Sequence, residues 1–327
     1  MNERVLVTGS SGFIGRAMVP YLRGLGYAVR GLDVKPLAEG PDDADRYRCD
    51  ILDRDALMAA FRDFSPQIVV HLAARTDLEE NQRIEGYAAN TVGTQNVVDA
   101  AVACGTVTRA LFTSSQLVCA VGYVPKSDTD YRPINLYGQS KVITEQVVRK
   151  SMPEHITWCL LRPTTIWGEG MSPHYQRFLG ALAKGHYFHV GSGRLLKSYG
   201  YVGNTVYEYA KFMAAPKEAI AGRTFYIADY APISLRDWID ALSSELSGRS
   251  VRTMPIPMAR LLAKCGDMLN AAGWRRFPFN SFRVNNILTE YTSDLAPTER
   301  VCGPLPYTMA DGVVRTAKWF KHRRAGA

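Results

Sequence analysis

Apolar residues along this chain fall into two kinds of run. Short continuous runs occur at Val5 to Val7, Ala28 to Leu32, Ile68 to Ala74, Ala110 to Ser114 and Thr224 to Ala228, and a weaker one at Arg46 to Cys49. Runs of that length without alternation read as strands buried on both faces. Between them the apolar positions recur at helical spacing. Phe13, Ala17, Val19, Leu22 and Leu25 define one helix, and Asp53 is placed as the N-cap of a second that reaches about Phe64. A long helical pattern spans about Glu79 to Cys104, and another opens at Tyr137 and runs to about Lys150. Strands alternating with helices predict an α/β fold, a doubly wound parallel sheet with helices on both faces.

The pattern changes after Gly170. Met171 to Lys184 reads as a loop and helix, Ser234 caps a helix through about Ser247, and Met258 to about Ala272 is amphipathic. The apolar face of that last helix is expected to pack in the core, with closure over a ligand or contact with a membrane or partner as the alternatives. A closing helix follows Pro306, to about Lys321. Two lobes are expected: residues 1–165, with 198–230 returning to the first, and a smaller C-terminal α/β lobe over 166–327 that holds the substrate.

Composition narrows the class. With 327 residues, 46% of them hydrophobic, the chain can build full-sized cores. No apolar run is long enough to span a bilayer, and the first strand starts at once with no leader, so a cytoplasmic location is expected. Six scattered cysteines form no paired motif and read as reduced thiols, with no metal set. The net charge of +8 is weighted toward Lys318, Lys321, Arg323 and Arg324, a solvated tail. That balance suits an anionic substrate or an anionic membrane surface and carries no nucleic-acid motif.

Candidate chemistry starts at the first turn. Gly9, Gly12 and Gly15 follow the first strand directly and open the first helix. Gly9 permits the tight turn, Gly12 lets a pyrophosphate approach the backbone, and Gly15 lets helix and strand pack closely. The backbone N–H groups of Phe13 and Ile14 would face the phosphates, helped by the helix dipole. Asp33 closes the second strand, where a carboxylate accepts both hydroxyls of an adenosine ribose and repels a 2′-phosphate. NAD is therefore favoured over NADP, which Lys35 and Arg30 leave open. Ala73 and Ala74, at the end of the Ile68 strand, are small enough for a ribose to lie against the backbone.

The second cluster is Ser115, Tyr137 and Lys141. Tyr137 and Lys141 are four apart, so both project from one helix face. A phenol titrates near 10, too high for a base at neutral pH. A nearby ammonium, together with the positive charge of an oxidised nicotinamide, would lower it. The phenolate could then take an alcohol proton as hydride leaves carbon, with Ser115 hydrogen-bonded to the same oxygen.

Together these motifs make the chain resemble an extended short-chain dehydrogenase/reductase of the NAD-dependent nucleotide-sugar epimerase/dehydratase group, with a Rossmann domain. The matching residues are Thr8-Gly9-x-x-Gly12-Phe13-Ile14-Gly15, Asp50-Ile51, His71-Leu72-Ala73-Ala74, Asn90 with Gly93-Thr94, Thr113-Ser114-Ser115, Tyr137-x-x-x-Lys141 and Leu161-Arg162-Pro163. The resemblance implies that Asp50 and Ile51 bind adenine and that Tyr137 and Lys141 also hold the nicotinamide ribose. It puts Pro163 beside the nicotinamide and Leu72, Asn90 and Thr113 in the same cofactor site. It also implies a homodimer built on the helices around Val92 and Val142. Lys197 stands where the family carries a phosphate-binding Arg, and His174 is a candidate acid or substrate contact. Gln116 and Leu117 occupy the positions of the dehydratase acid pair and exclude that elimination. Thr165 stands where galactose-type 4-epimerases carry an Asn; Thr165 and Gln116 are taken as substrate contacts. The favoured function is epimerisation of a nucleotide sugar through a transient ketone. The alternatives are an NAD(P)-dependent reductase or dehydrogenase of a 4-keto sugar or 3β-hydroxysteroid-like substrate, and a non-catalytic NAD-binding module.

Overall fold

The computed structural model describes residues 3–35, 46–78, 80, 82–273 and 279–325, with the backbone alone at 174, 324 and 325. The chain divides into two units, the first built from Met1–Ile166, Val202–Tyr230 and Asp294–Pro306, and the second from Trp167–Tyr201, Ala231–Ser293 and Tyr307–Ala327.

The first unit holds a sheet of seven parallel strands: β1 (Arg4–Thr8), β2 (Ala28–Asp33), β3 (Arg46–Arg48), β4 (Ile68–His71), β5 (Arg109–Thr113), β6 (Thr157–Pro163) and β7 (Thr224–Ile227). Their order is β7-β6-β5-β4-β1-β2-β3, so the strand order reverses between β1 and β4. Helices α1 (Phe13–Gly24), α2 (Arg54–Phe64), α3 (Val92–Cys104), α4 (Leu136–Ser151) and α5 (Val202–Ala214) join the strands. Two apolar cores form. In one, Val5, Val7, Val70, Leu111 and Leu161 pack with Met18 and Leu22 of α1 and Tyr209 and Phe212 of α5. In the other, Leu6, Leu32, Val69, Phe112 and Leu160 pack with Leu57 and Phe61 of α2, Val97 and Ala101 of α3, and Val148 of α4. Adjacent residues of one strand thus enter different cores, which is why the strands read as unbroken apolar runs.

Local signals account for the helix ends. Asp53 caps α2 by accepting from the Ala56 N–H at 3.0 Å, and Asn135 caps α4 by accepting from the Gly138 N–H at 2.7 Å. Three details differ from the pattern. β4 ends at His71, so Leu72 to Ala74 leave the sheet as a loop. The helical stretch before Cys104 is broken: a 3₁₀ segment, Ile84–Asn90, kinks at Tyr87 before α3 begins, and its expected start at Glu79 lies outside the described residues. The third is the return of Asp294–Pro306 to the first unit. Thr298 Oγ1 donates to the Tyr226 carbonyl at 2.6 Å and Tyr207 OH to the Cys302 carbonyl at 3.0 Å. Those side-chain bonds leave no period in the sequence.

The second unit is mostly helical, with Pro173–Lys184, Leu235–Ser247, Ile256–Ala271, Ser281–Leu288 and Met309–Ala325, and short strand pairs such as Phe188–Val190 with Arg252–Met254. Ser234 caps Leu235–Ser247 by accepting from the Asp237 N–H at 3.3 Å. Trp238 of that helix stacks on Phe178 and meets the rings of Trp167 and Tyr199 edge-on.

The glycine turn sets the approach of α1 to the sheet. Gly9 has φ +71°, and a Cβ there would stand 2.6 Å from Ala73 N. A Cβ on Gly15 would stand 2.3 Å from the Gly9 carbonyl oxygen and 2.7 Å from Ser10 Cα, both backbone atoms. Gly15→Ala is therefore expected to lower unfolding stability by about 1–3 kcal/mol, through overpacking. Gly24 meets nothing within 4 Å, so Gly24→Ala is the control, expected to be neutral or stabilising. Urea denaturation of the two variants checks both.

Candidate active site

The sequence-predicted cofactor residues of the first unit collect at the carboxyl ends of its strands, where ligands bind in open α/β sheets. Gly9 to Gly15 follow β1, Asp33 ends β2, Leu72 to Ala74 follow β4, Thr113 ends β5 and Pro163 ends β6. The head of α1 fits a diphosphate. Gly12 precedes the helix with no side-chain cap, and a Cβ there would meet only the Gly9 oxygen, at 3.1 Å. An uncapped helix N-terminus that backbone can approach is an anion site. The Asp33 carboxylate is held by the Ser11 N–H and the Lys35 N–H, both at 2.9 Å, which fixes it for further hydroxyl donors.

Two predicted contacts are engaged within the protein. Ile51 is buried, and a Cβ on Gly93 would stand 2.6 Å from its Cδ1, so any hold on adenine falls to its backbone; Asp50 beside it is exposed. The Asn90 amide accepts from the Arg75 N–H at 2.8 Å and donates to the Arg75 carbonyl and to Ser140 Oγ, each at 2.9 Å. It ties the loop after β4 to α4.

Ser115 and Tyr137 meet across a close packing of α4 on the turn after β5. Gly138 makes this approach, since a Cβ there would stand 2.3 Å from the Leu117 carbonyl oxygen. The Ser115 hydroxyl accepts from the Leu117 N–H at 3.1 Å and lies close enough to Tyr137 for a bond that favours its phenolate. The Tyr87 ring lies 6.0 Å from that of Tyr137. Burial pushes the Tyr137 phenol up to about 12, against the bond from Ser115. Within the protein's own groups burial thus holds Tyr137 as a phenol, and the expected lowering calls on the charge of an oxidised nicotinamide as well as on Lys141. Lys141 is itself buried, donates to the Thr113 carbonyl at 2.9 Å, and is pushed down to about 8 by burial, against the attraction of Glu145.

Behind them lies a charge pair that the sequence pattern did not mark. Arg162 of β6 donates from Nε and from its terminal nitrogen to the two Glu145 oxygens, at 2.7 and 2.8 Å, and both side chains are buried. Ser114 Oγ and Tyr131 OH donate to the same carboxylate at 2.6 and 3.0 Å. Burial works against the charge on Arg162, but Glu145 outweighs it and holds the guanidinium above its ordinary value. The signal was available as a stripe: Tyr137, Lys141 and Glu145 recur at spacing four on one helix face. His71 sits below, bonded to Thr8 Oγ1 at 2.8 Å, and is pushed down to about 3 by burial and then by Lys141.

The remaining candidates divide between the units. Gln116, in the 3₁₀ turn Gln116–Val118 after Ser115, keeps a buried Oε1 with no partner among the described residues. Thr165 is half-buried in the first unit. In the second unit, His174 lies in the helix Pro173–Lys184, and its side chain falls outside the described residues. Lys197 is buried and donates to the carbonyls of Asn286, at 2.8 Å, and Thr289. Its ammonium ties the end of the helix Ser281–Leu288, rather than standing free for a diphosphate.

This is the class of α/β fold that binds a dinucleotide at the carboxyl ends of its parallel strands. The chain belongs to the NAD dependent epimerase/dehydratase family, whose model matches residues 5–228. It is 27% identical to an N-acetyl-alpha-D-glucosaminyl-diphospho-ditrans,octacis-undecaprenol 4-epimerase of Escherichia coli, over 99% of this chain and 97% of that protein. It is 29% identical to a 3 beta-hydroxysteroid dehydrogenase/Delta 5-->4-isomerase of Mycobacterium tuberculosis, over 71% of this chain and 66% of that protein. Among solved structures, it shares its fold with the UDP-glucuronic acid 4-epimerase of Bacillus cereus in complex with NAD, at a TM-score of 0.72 and 19% identity, with 98% of this chain and 99% of that one covered.

Two expectations follow from the buried charges. The unfolded chain holds Lys141 charged up to its ordinary 10.5, whereas the folded protein releases that proton at about 8. The unfolded state therefore binds more protons over this window, so Lys141 makes stability rise with pH there. Lys141→Met is expected to reduce the rise in urea midpoint between pH 8 and 9.5, a range that stops short of the ordinary Tyr137 value of 10.0. Glu145→Gln leaves Arg162 charged and buried without its counter-charge, and is expected to cost about 3–5 kcal/mol by the same measurement at neutral pH.

Proposed function

We propose that the protein is an NAD-dependent epimerase of a sugar activated through a diphosphate, with nucleotide sugars and lipid-diphosphate sugars as the substrate classes. The observation that carries this reading is the Ser115–Tyr137–Lys141 cluster at the strand ends, with Gln116 and Leu117 in place of an acid pair. Bound NAD would supply the acceptor and donor of hydride, and the positive charge that brings the Tyr137 phenol toward neutral pH. Gly9, Gly12, Gly15 and Asp33 are the residues that would hold it.

Tyr137 takes the proton of the reacting hydroxyl, and Ser115 donates a hydrogen bond to the same oxygen. The carbon passes from alcohol to ketone. Presented with the opposite face of that ketone, Tyr137 returns the proton as hydride comes back, and the alcohol is inverted. Lys141, its ammonium brought down to about 8 by burial, stabilises the phenolate through its positive charge. With no carboxylic acid at positions 116 and 117, nothing beside Ser115 drives elimination of water.

The diphosphate class is supported by the similar Escherichia coli protein, which is named for a diphospho-undecaprenol sugar. Thr165 and the engaged Lys197 differ from the residues that galactose-type epimerases use on a nucleotide diphosphate, which counts against a UDP-hexose within that class. A second reading, oxidation of a steroid-like alcohol, is favoured by the likeness to the Mycobacterium tuberculosis dehydrogenase. The purified protein is expected to carry NAD through dialysis and to interconvert C4 epimers within a panel of UDP-sugars and polyprenyl-diphosphate sugars, with no net NADH. Tyr137→Phe is expected to abolish turnover and leave NAD binding nearly intact. Full activity in that variant would refute the mechanism, and net NADH formed with a sterol would favour the second reading.

A further inference from the structure

The helix Ile256–Ala271 is packed the opposite way round from an ordinary amphipathic helix. Its buried residues are the small ones, Ala259, Ala263 and Gly266. Ala259 and Ala263 pack with Val190 and Val284. Its large apolar residues point outward: Met258 is 47% exposed, Leu261 64%, Leu262 44% and Met268 72%. The spacing of Met258, Leu261, Leu262, Cys265 and Met268 puts them on one stripe. On the neighbouring helix Ser281–Leu288, Phe282 is 57% exposed. Among the described residues these five account for five of the sixteen large hydrophobics that are exposed. The other exposed ones are spread over the rest of the chain, as single surface apolar residues normally are.

The polar edge of the stripe is basic. Arg260 and Lys264 lie one helical turn apart on the exposed side, and Arg283 is exposed beside Phe282. Among the described residues Arg260 and Lys264 form no ion pair, whereas Asp267, the one acid on this helix, accepts from the Ser281 N–H at 3.2 Å. We propose that this face docks on an anionic lipid bilayer, with the Met258–Met268 stripe and Phe282 in the headgroup layer and Arg260, Lys264 and Arg283 on lipid phosphates. An in-plane helix of sixteen residues with an apolar stripe and a basic edge has the chemistry of an interfacial anchor. The long stems of Arg and Lys let the charge reach the headgroups while the apolar stripe sinks below them. Charge complementarity selects this occupant. The chain carries a net charge of +8, which draws it to an anionic surface. The proposal does not depend on which substrate the enzyme takes.

The test is flotation of the full-length protein with vesicles of phosphatidylethanolamine and phosphatidylglycerol, against vesicles of phosphatidylcholine alone. The protein is expected to float with the anionic vesicles and to stay behind with the neutral ones, with binding that weakens as salt is raised. Leu261→Glu with Met268→Glu is expected to cut the floated fraction about tenfold. Because both side chains are exposed, the circular dichroism spectrum and Tm should stay unchanged. Arg260→Gln with Lys264→Gln is expected to remove the preference for anionic lipid. Three results would each overturn the proposal: wild-type protein that floats with neither vesicle or equally with both, a double Glu variant that floats like the wild type, or a double Glu variant whose only change is a smaller oligomer by light scattering.

Discussion

The buried bond between Arg162 and Glu145 is the constraint on which the active-site end of the first unit depends. It crosses from β6 to α4, and Glu145 takes further bonds from Ser114 after β5 and Tyr131 in the loop before α4. Two strand ends, one loop and one helix are thus fixed by a single carboxylate. Buried charges are expensive unless every hydrogen-bonding site is met, and here the carboxylate accepts four donors. What the pair secures is register. Glu145 stands two turns below Tyr137 and one below Lys141, so pinning it to the sheet sets how far along its axis α4 can lie.

A second tie works from the other side. The Asn90 amide binds both backbone groups of Arg75 and the hydroxyl of Ser140, while Gly138 lets the Ser115 turn come against the helix. Between the charge pair and the amide, Tyr137 has little freedom to drift from Ser115. The electrostatics are then those of a dry pocket. Both titrating groups of the pair sit off their ordinary values toward the neutral form, the phenol upward and the ammonium downward. A site in that condition responds strongly to any positive charge brought into it, because little water competes.

Much of this was legible from residue order alone. The strands of the first unit bury both faces, so they appear as unbroken apolar runs, and the glycines at 9, 12 and 15 sit where backbone must approach backbone or ligand. Tyr137 and Lys141 were legible because helical spacing puts them on one face. What escaped was whatever depends on partners distant in sequence. Lys197 has the type of a phosphate ligand, yet it is buried against carbonyls at the end of a helix almost ninety residues on. The helix after Pro255 has an apolar stripe, and periodicity says that a stripe exists without saying which way it faces. Its smaller residues face inward because Val190 and Val284 leave room for methyl-sized neighbours, so the expectation of core packing is reversed. The burial that raises the Tyr137 phenol escaped in the same way, since charge is visible in a sequence and burial is not.

The division of the chain has a consequence for synthesis. The first unit is assembled from three separate stretches, and β7, at the far edge of the sheet, follows the whole of Trp167–Tyr201. Until the ribosome has delivered Thr224–Ile227, β6 is an open edge with unpaired backbone groups. The unit still lacks its Asp294–Pro306 segment until Ala231–Ser293 of the second unit has also been made. A nascent chain of this kind exposes a sheet edge through the synthesis of Trp167–Tyr201 and up to Thr224. It also means that neither unit corresponds to a contiguous fragment: a truncation after β6 removes one edge of the nucleotide-binding sheet along with the second unit.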